Sequence, residues 1–519
     1  MPAIVYVPLD ERPCNAKYPL QIAAASDLEL VAPPRGLLGD KKRPAAVGPL
    51  RAWMLDEAAR ADRLIVSLDM LAYGGIVPSR LHHLTAEQCR ERLDALAECK
   101  RRNPRLKIYA FNLILRAPAY DSSDEEPDYY AQYGARLARL GALADKRERD
   151  GLTDGEAAEL KRIKSEVPRS VSDDFIGRRA VNAAVNRMAV ELAEAGVIDF
   201  LAIPLDDNAP YGFSAGEQRR LLLAVERSGL LDRVHLYPGA DEAGCTLFAR
   251  VFCELKRYAP EIYVRYSSTA GPFVIPKYED RSLGESVKSH AAAAGACLAD
   301  SSAEADFVLM VNAPPVGQHA MAEAPQRYGE RHAAYFSETN LREFAAAIRR
   351  YADKGRIVAL ADVAVCNGAD EPLMKLLAGT GLLPRLAAYA GWNTSGNSLG
   401  TAIAHAIVES YYRRAEGGGP GEDERARSSR RFLLSRLVED WGYQAVVRGE
   451  AAQSDLPALG GSYFDVSGVL EPMQERIRAR LETFASRYLQ DFGPRRVRIE
   501  RVELPWKRLF EVGFELQWN

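Results

Sequence analysis

Short apolar runs rich in β-branched residues alternate along this chain with longer amphipathic stretches, the pattern of βα units built around a parallel sheet. The runs at 4–7, 64–68, 108–113, 200–205, 234–237, 307–311, 357–361 and 386–390 predict eight strands. The run at 262–266 is a further candidate that replaces one of these or pairs at an edge, and 28–31 is a weaker one. Polar groups collect where the runs end: Asp10-Glu11-Arg12, Asp69 with Tyr73, Asn112 with Arg116, Asp206-Asp207, Asp241-Glu242, Asn312, Asp362 and Trp392-Asn393. A (β/α)8 barrel draws its functional groups from the C-terminal ends of several strands, whereas an open doubly wound sheet concentrates them at one switch point. The wide spread predicts an α/β chain with a TIM-like (β/α)8 barrel.

Two departures from a plain barrel are legible. Between the third and fourth predicted strands, residues 117–195 contain the acidic Asp121-Ser-Ser-Asp-Glu-Glu-Pro127, the aromatic Tyr129-Tyr130 and charged helical patterns, which predict a helical insertion acting as a cap or lid. The barrel is expected to span 1–415. It is followed by a flexible glycine-rich break, Glu416-Gly-Gly-Gly-Pro-Gly421, and a C-terminal α+β accessory domain over 422–519. That domain is predicted to hold helices near 427–440 and 470–490 and strand-like pieces at 497–504 and 510–518. No internal repeat is read from the sequence.

Composition narrows the function. With 519 residues, 47% of them hydrophobic, the chain can bury more than one core. Its 68 basic and 71 acidic residues, a formal net charge of −3, are well mixed and give no basic stripe for nucleic acid and no polybasic membrane anchor. The N-terminus lacks the charged and apolar regions of a signal peptide, and no run of apolar residues is long enough to span a bilayer, so a soluble cytoplasmic protein is expected. A homo-oligomer is allowed. Seven scattered cysteines without a CxxC pair, and seven histidines without an HExxH, suggest neither a disulfide framework nor a transition-metal site. No metal or cofactor is expected.

Asp206-Asp207 is the pair with the most specific chemistry. Carboxylates adjacent in sequence cannot flank a glycosidic bond as two opposed groups do, but they suit substrate-assisted hydrolysis. One holds the N–H of a 2-acetamido group whose carbonyl attacks the anomeric carbon, and the other protonates the leaving oxygen. Their mutual repulsion raises one pKa, as a general acid requires. The segment Tyr389-Ala-Gly-Trp-Asn-Thr-Ser-Gly-Asn-Ser-Leu-Gly400 adds an indole to stack on a sugar and asparagines to bond hydroxyls or an amide. Without a P-loop lysine or GxGxxG spacing it is not read as a nucleotide cradle.

The phrases Pro8-Leu-Asp-Glu-Arg-Pro13, Ser67-Leu-Asp-Met-Leu-Ala-Tyr-Gly-Gly75, Asp206-Asp-Asn-Ala-Pro-Tyr-Gly212, Tyr237-Pro-Gly-Ala-Asp-Glu242 and Gly391-Trp-Asn-Thr-Ser-Gly-Asn397 resemble those of the bacterial domain-of-unknown-function 4127 family. The layout is also similar to O-GlcNAcase-type β-N-acetylhexosaminidases. The resemblance implies a retaining β-N-acetylhexosaminidase, with β-N-acetylgalactosaminidase activity favoured, acting on a small carbohydrate. It makes Asp206 the group that orients the acetamide and Asp207 the general acid and base. Trp392 would wall the pocket, and Asn393 and Asn397 would bond substrate. Tyr211 or Tyr73 would meet the acetamido oxygen, with Asp10, Arg12, Asp69, Asn112, Asp241 and Glu242 as further substrate contacts. Two other readings stand beside it: a metal-dependent hydrolase or deacetylase with Asp10, Asp69, Asp206 and Asp241 as ligands, and a non-catalytic carbohydrate-binding protein.

Overall fold

The computed structural model describes residues 3–415, 424–493 and 495–518. The glycine-rich break expected at 416–421 lies outside them. All ten candidate runs form strands, in two parallel sheets rather than in one closed ring. The first sheet contains β1 (Ala3–Val7), β2 (Glu29–Val31), β3 (Arg63–Ser67), β4 (Lys107–Phe111), β5 (Phe200–Leu205) and β6 (Val234–Pro238), in the order β2-β1-β3-β4-β5-β6. The second contains β7 (Glu261–Tyr266), β8 (Cys297–Leu298), β9 (Phe307–Asn312), β10 (Val358–Asp362) and β11 (Ala388–Ala390), in the order β11-β10-β9-β7-β8. Only the two-residue β8 had no signal in the sequence.

Strand order makes these sheets open and doubly wound. Counted within its own sheet, each follows 2-1-3-4-5, and the first adds a sixth strand. The sequence shows no repeat, yet the topology occurs twice. Side chains of β5 are buried along its whole length, as are those of β9 and β10, which is why these strands read as unbroken apolar runs. Parallel registers such as Val5↔Leu64 and Leu360↔Met310 bring successive C-terminal ends to one edge of each sheet.

The chain divides into two compact units, one of residues 1–11, 28–247 and 278–280, the other of 12–27, 248–277 and 281–519. In the first unit the expected insertion forms three helices, Tyr130–Arg149, Asp154–Glu166 and Arg169–Glu194. Thr153 and Glu156 close a capping box at the start of the middle helix. Tyr130, Leu137, Leu143, Ile163 and Phe175 give these helices an apolar core of their own. In the second unit one apolar core runs from Val308 and Leu360 on the sheet through Trp441 and Ile477 to Ile499 and Trp518. The expected accessory elements therefore share a core with the second sheet; their two terminal strands, β12 (Val497–Glu503) and β13 (Gly513–Trp518), pair antiparallel. Among the described residues no helix is long and apolar enough to cross a membrane.

Asp69 is placed by the helix Leu68–Tyr73, which starts directly after β3 with the Ser67 hydroxyl accepting from the Met70 N–H. The helix stops at Gly74, left-handed at φ 91°. A Cβ there would lie 2.8 Å from both the Ala45 nitrogen and the Pro44 Cβ. Gly74→Ala is expected to cost about 2 kcal/mol from conformation and overlap together, read as a lowered urea midpoint. Gly36→Ala, where a Cβ meets nothing within 4 Å, should leave the midpoint unchanged.

Candidate active site

At the C-terminal edge of the first sheet, two guanidinium groups organise four carboxylates. Arg80 donates from Nη2 to Asp206 Oδ2 at 2.8 Å and from Nη1 to Glu125 Oε2 at 2.8 Å, with Glu126 Oε1 3.5 Å away. Arg116 reaches Glu126 through Nε at 2.9 Å, Glu125 through Nη2 at 3.0 Å and Asp207 through Nη1 at 3.2 Å. Glu125 and Glu126 come from the acidic segment at the start of the insertion. A third support, Arg179, donates to the carbonyls of Leu115 and Arg116 and forks onto Glu217 at 2.8 and 2.9 Å, fixing the backbone that carries Arg116.

Asp206 and Asp207 leave β5 in different environments. Asp206 is buried, and its N–H donates to Ile114 O at 3.1 Å. Asp207 is the more open, with 23% of its side chain exposed, and its backbone is left-handed at φ 38°, a conformation that costs a non-glycine residue energy. Burial and the negative Asp206 push the Asp207 carboxyl up to about 6, against the opposing pull of Arg116 and Arg80. Behind them Asp69, 1% exposed, is pushed up to about 7 chiefly by burial. The Leu113 N–H, 2.9 Å from its Oδ2, and Asn112 restrain the rise, and Asp206 adds to it. Asn112 Oδ1 in turn accepts from Asn186 at 2.6 Å.

A family model described as "Protein of unknown function (DUF4127)" matches residues 4–515. The chain belongs to the DUF4127 family. No curated protein matches it.

In this DUF4127 chain the predicted site residues fall into two groups. Asp10, Asp69, Tyr73, Asn112, Asp206, Asp207, Tyr211, Asp241 and Glu242 belong to the first unit; Arg12, Trp392, Asn393 and Asn397 belong to the second. Of the first group, Asp69, Asn112, Asp206 and Asp207 interact directly or through shared partners. Asp10 and Asp69 follow β1 and β3, the strands that flank the switch point. Asp241 and Glu242 are buried after β6, where Glu242 Oε2 accepts from the Ala240 N–H at 2.8 Å. Tyr73 is buried and stacked on His82 at 4.6 Å, while Tyr211 bonds Asp150 under the Arg149 guanidinium.

The second group has a different character from the one expected. Trp392 is a core side chain: 7% exposed, edge-on to Tyr18 at 5.7 Å, with its indole N–H toward Thr401. Arg12 pairs with Glu511 at 3.3 Å and lies over Trp506 at 4.6 Å. Asn393 is left-handed at φ 53° and its carbonyl accepts from Asn367. Asn397 sits in the first turn of the helix Ser395–Ala415, with its carbonyl accepting from the Thr401 hydroxyl. Among the described residues no group of three or more His, Cys, Asp or Glu side chains is arranged to hold a metal ion.

Sequence reasoning missed Arg80, whose partner Asp206 is 126 positions away. It noted Arg116 and the acidic segment without joining them. It also missed Tyr120, whose phenol interacts electrostatically with Arg116 and Asp207, and Asn208, a buried amide with neither its oxygen nor its nitrogen bonded.

The raised Asp69 value makes stability depend on pH. A carboxyl near 4 when unfolded and about 7 when folded favours the folded state fully below pH 4, and that contribution is lost as pH rises through 7. Asp69→Asn is therefore expected to remove several kcal/mol, at about 1.4 kcal/mol per unit, from the decline in unfolding free energy between pH 4 and 8. Parallel curves for the variant and the parent would refute the assignment.

Proposed function

We propose that this protein is a glycoside hydrolase of the β-N-acetylhexosaminidase type, with β-N-acetylgalactosaminides the favoured substrates, working by substrate assistance. The observation that carries the reading is the unequal pair after β5: an arginine-bound Asp206 beside a more open Asp207 whose carboxyl is raised to about 6. Asp206 takes the acetamido N–H and turns the carbonyl oxygen toward the anomeric carbon. That oxygen forms the new bond to C1 while Asp207 gives its proton to the departing glycosidic oxygen, leaving an oxazolinium ion whose N–H stays bonded to Asp206. Asp207, now a carboxylate, takes a proton from water as the water attacks C1, the C1–O bond of the ring breaks to restore the acetamide, and configuration is retained. Arg80 keeps Asp206 in place throughout, while burial, with Asp206 beside it, raises the Asp207 carboxyl to about 6.

The tyrosine assigned to the acetamido oxygen changes on this reading. Tyr120, 48% exposed and within electrostatic range of Asp207, replaces the buried Tyr73 and the Asp150-bonded Tyr211. Trp392, packed in a core, is no longer assigned to stack on the sugar.

Release of nitrophenol from the β-N-acetylgalactosaminide, the β-N-acetylglucosaminide and the plain β-galactoside, each with and without EDTA, tests the reaction class. Turnover of an acetamido sugar alone, unchanged by EDTA, is expected. Turnover of none, or turnover abolished by the chelator, would overturn the reading in favour of sugar binding or metal-dependent hydrolysis. Asp207→Ala should lose about 10²–10⁴-fold in kcat/KM on substrates with poor leaving groups and much less on nitrophenyl ones.

Because the acid must be protonated, kcat/KM should fall as pH rises through about 6. Arg116 favours the charged form of Asp207, so Arg116→Ala should shift this limb to higher pH. An unmoved or downward-shifted limb would take the acid role from Asp207.

A further inference from the structure

The second sheet carries a concave site at the end opposite its polar strand termini. A cavity of about 930 Å³, within the range of small-molecule sites, is lined by the residues that enter three of its strands: Ala305 and Asp306 before β9, Arg356 and Ile357 before β10, Leu386 and Ala387 before β11. Helices Ser395–Ala415 and Glu424–Arg436 supply further lining residues. In all, seven arginines face three carboxylates among the described lining residues.

Two of the three lining carboxylates are already engaged, and the third, Glu304, is exposed to solvent. Glu409 gives one oxygen to Arg413 at 2.6 Å and the other to the Ser429 hydroxyl at 2.6 Å. Asp306 accepts from the Glu261 N–H at 2.7 Å and pairs with Arg414. Neither Arg356 nor Arg430 is bonded to a carboxylate among the described residues. Arg430 makes one bond, from Nη1 to Pro384 O at 2.7 Å, while lying 5.6 Å from the Phe492 ring centre. Burial, and the positive Arg413 beside it, lower the Arg430 value below that of an ordinary guanidinium, and Glu409 only partly offsets them. Bringing two uncompensated like charges toward one concave surface is unfavourable unless an anion completes it.

The geometry points to an anion site at the N-terminal edge of the second sheet, in which Arg356 and Arg430 hold a small, multiply charged phosphoryl ligand such as a phosphate monoester or pyrophosphate. Guanidinium forks bind phosphoryl oxygens in pairs, and a multiply charged phosphoryl group offers oxygens enough for two of them. This site is independent of the chemistry proposed at Asp206 and Asp207.

Isothermal titration with inorganic pyrophosphate at constant ionic strength, using the full chain, tests the assignment. One site with Kd below about 1 mM is expected in the parent, weakened about tenfold or more in Arg356→Ala/Arg430→Ala. Since Arg430 also bonds Pro384 O, the single variant Arg356→Gln serves if the double variant does not fold, and it should weaken binding in the same direction. No saturable binding by the parent, equal affinity in parent and variants, or binding of citrate but not pyrophosphate would each overturn the proposal.

Discussion

The first unit depends on charge neutralisation at the end of a parallel sheet. Four carboxylates, Asp206, Asp207, Glu125 and Glu126, meet where β5 and the start of the insertion come together, and Arg80 and Arg116 are the cations that hold them. Arg80 and Glu126 are almost wholly buried, so losing one partner would strand a charge in a poorly solvated place, a cost of about 3–5 kcal/mol. Two cations cannot neutralise four anions completely, and Asp69 adds a fifth carboxyl behind them. Burial raises the carboxyls of Asp69 and Asp207 most, and the neighbouring Asp206 adds to both. On the proposed function, the burial that raises Asp207 is also what fits it for acid chemistry.

The second unit meets the same difficulty with a different balance. After β9 and β10, Asn312 bonds both Asp362 and Asp370, and Arg331 closes on Asp370 at 2.6 Å. Burial and Asp370 push Asp362 up to about 7, and burial does the same to Asp440 despite Arg436 at 3.0 Å. Both sheets thus end in buried carboxyls of high proton affinity, as the repeated 2-1-3-4-5 order leads one to expect, because that order directs polar groups to the C-terminal edge.

Local pattern carried the strands but not their neighbours. Unbroken apolar runs such as Phe200–Leu205 mark a strand buried on both faces, and that holds equally in a barrel and in an open sheet. Which strands pair is set by long-range packing, so the apolar runs could be found and still be arranged as one barrel instead of two open sheets. β8 escaped notice because two exposed residues, Cys297 and Leu298, make no run at all. The boundary expected near 420 followed a composition change, whereas the core passes from Val308 to Trp518 regardless of it. At the site, Asp206-Asp207 was legible because two charges at the end of an apolar strand need an explanation within a few residues. Arg80 was not, because nothing near it in sequence hints at a partner beyond position 200. Trp392 misled for a related reason: an indole beside asparagines and glycines reads as a sugar platform, and only three-dimensional packing reveals it turned into a core against Tyr18.

A graded exposure separates the three aspartates by role more sharply than sequence position does. Asp69 is the deepest, its carboxyl raised to about 7 chiefly by burial and its Oδ2 held by the Leu113 N–H, so it is suited to structure. Asp206 is buried but bound to Arg80, which suits an anion that must stay in one orientation. Asp207, bound to Arg116, combines a raised proton affinity with the most open face of the three, and its left-handed backbone carries a conformational cost. Strain at the most exposed carboxyl of the cluster is the arrangement that the proposed proton donor calls for.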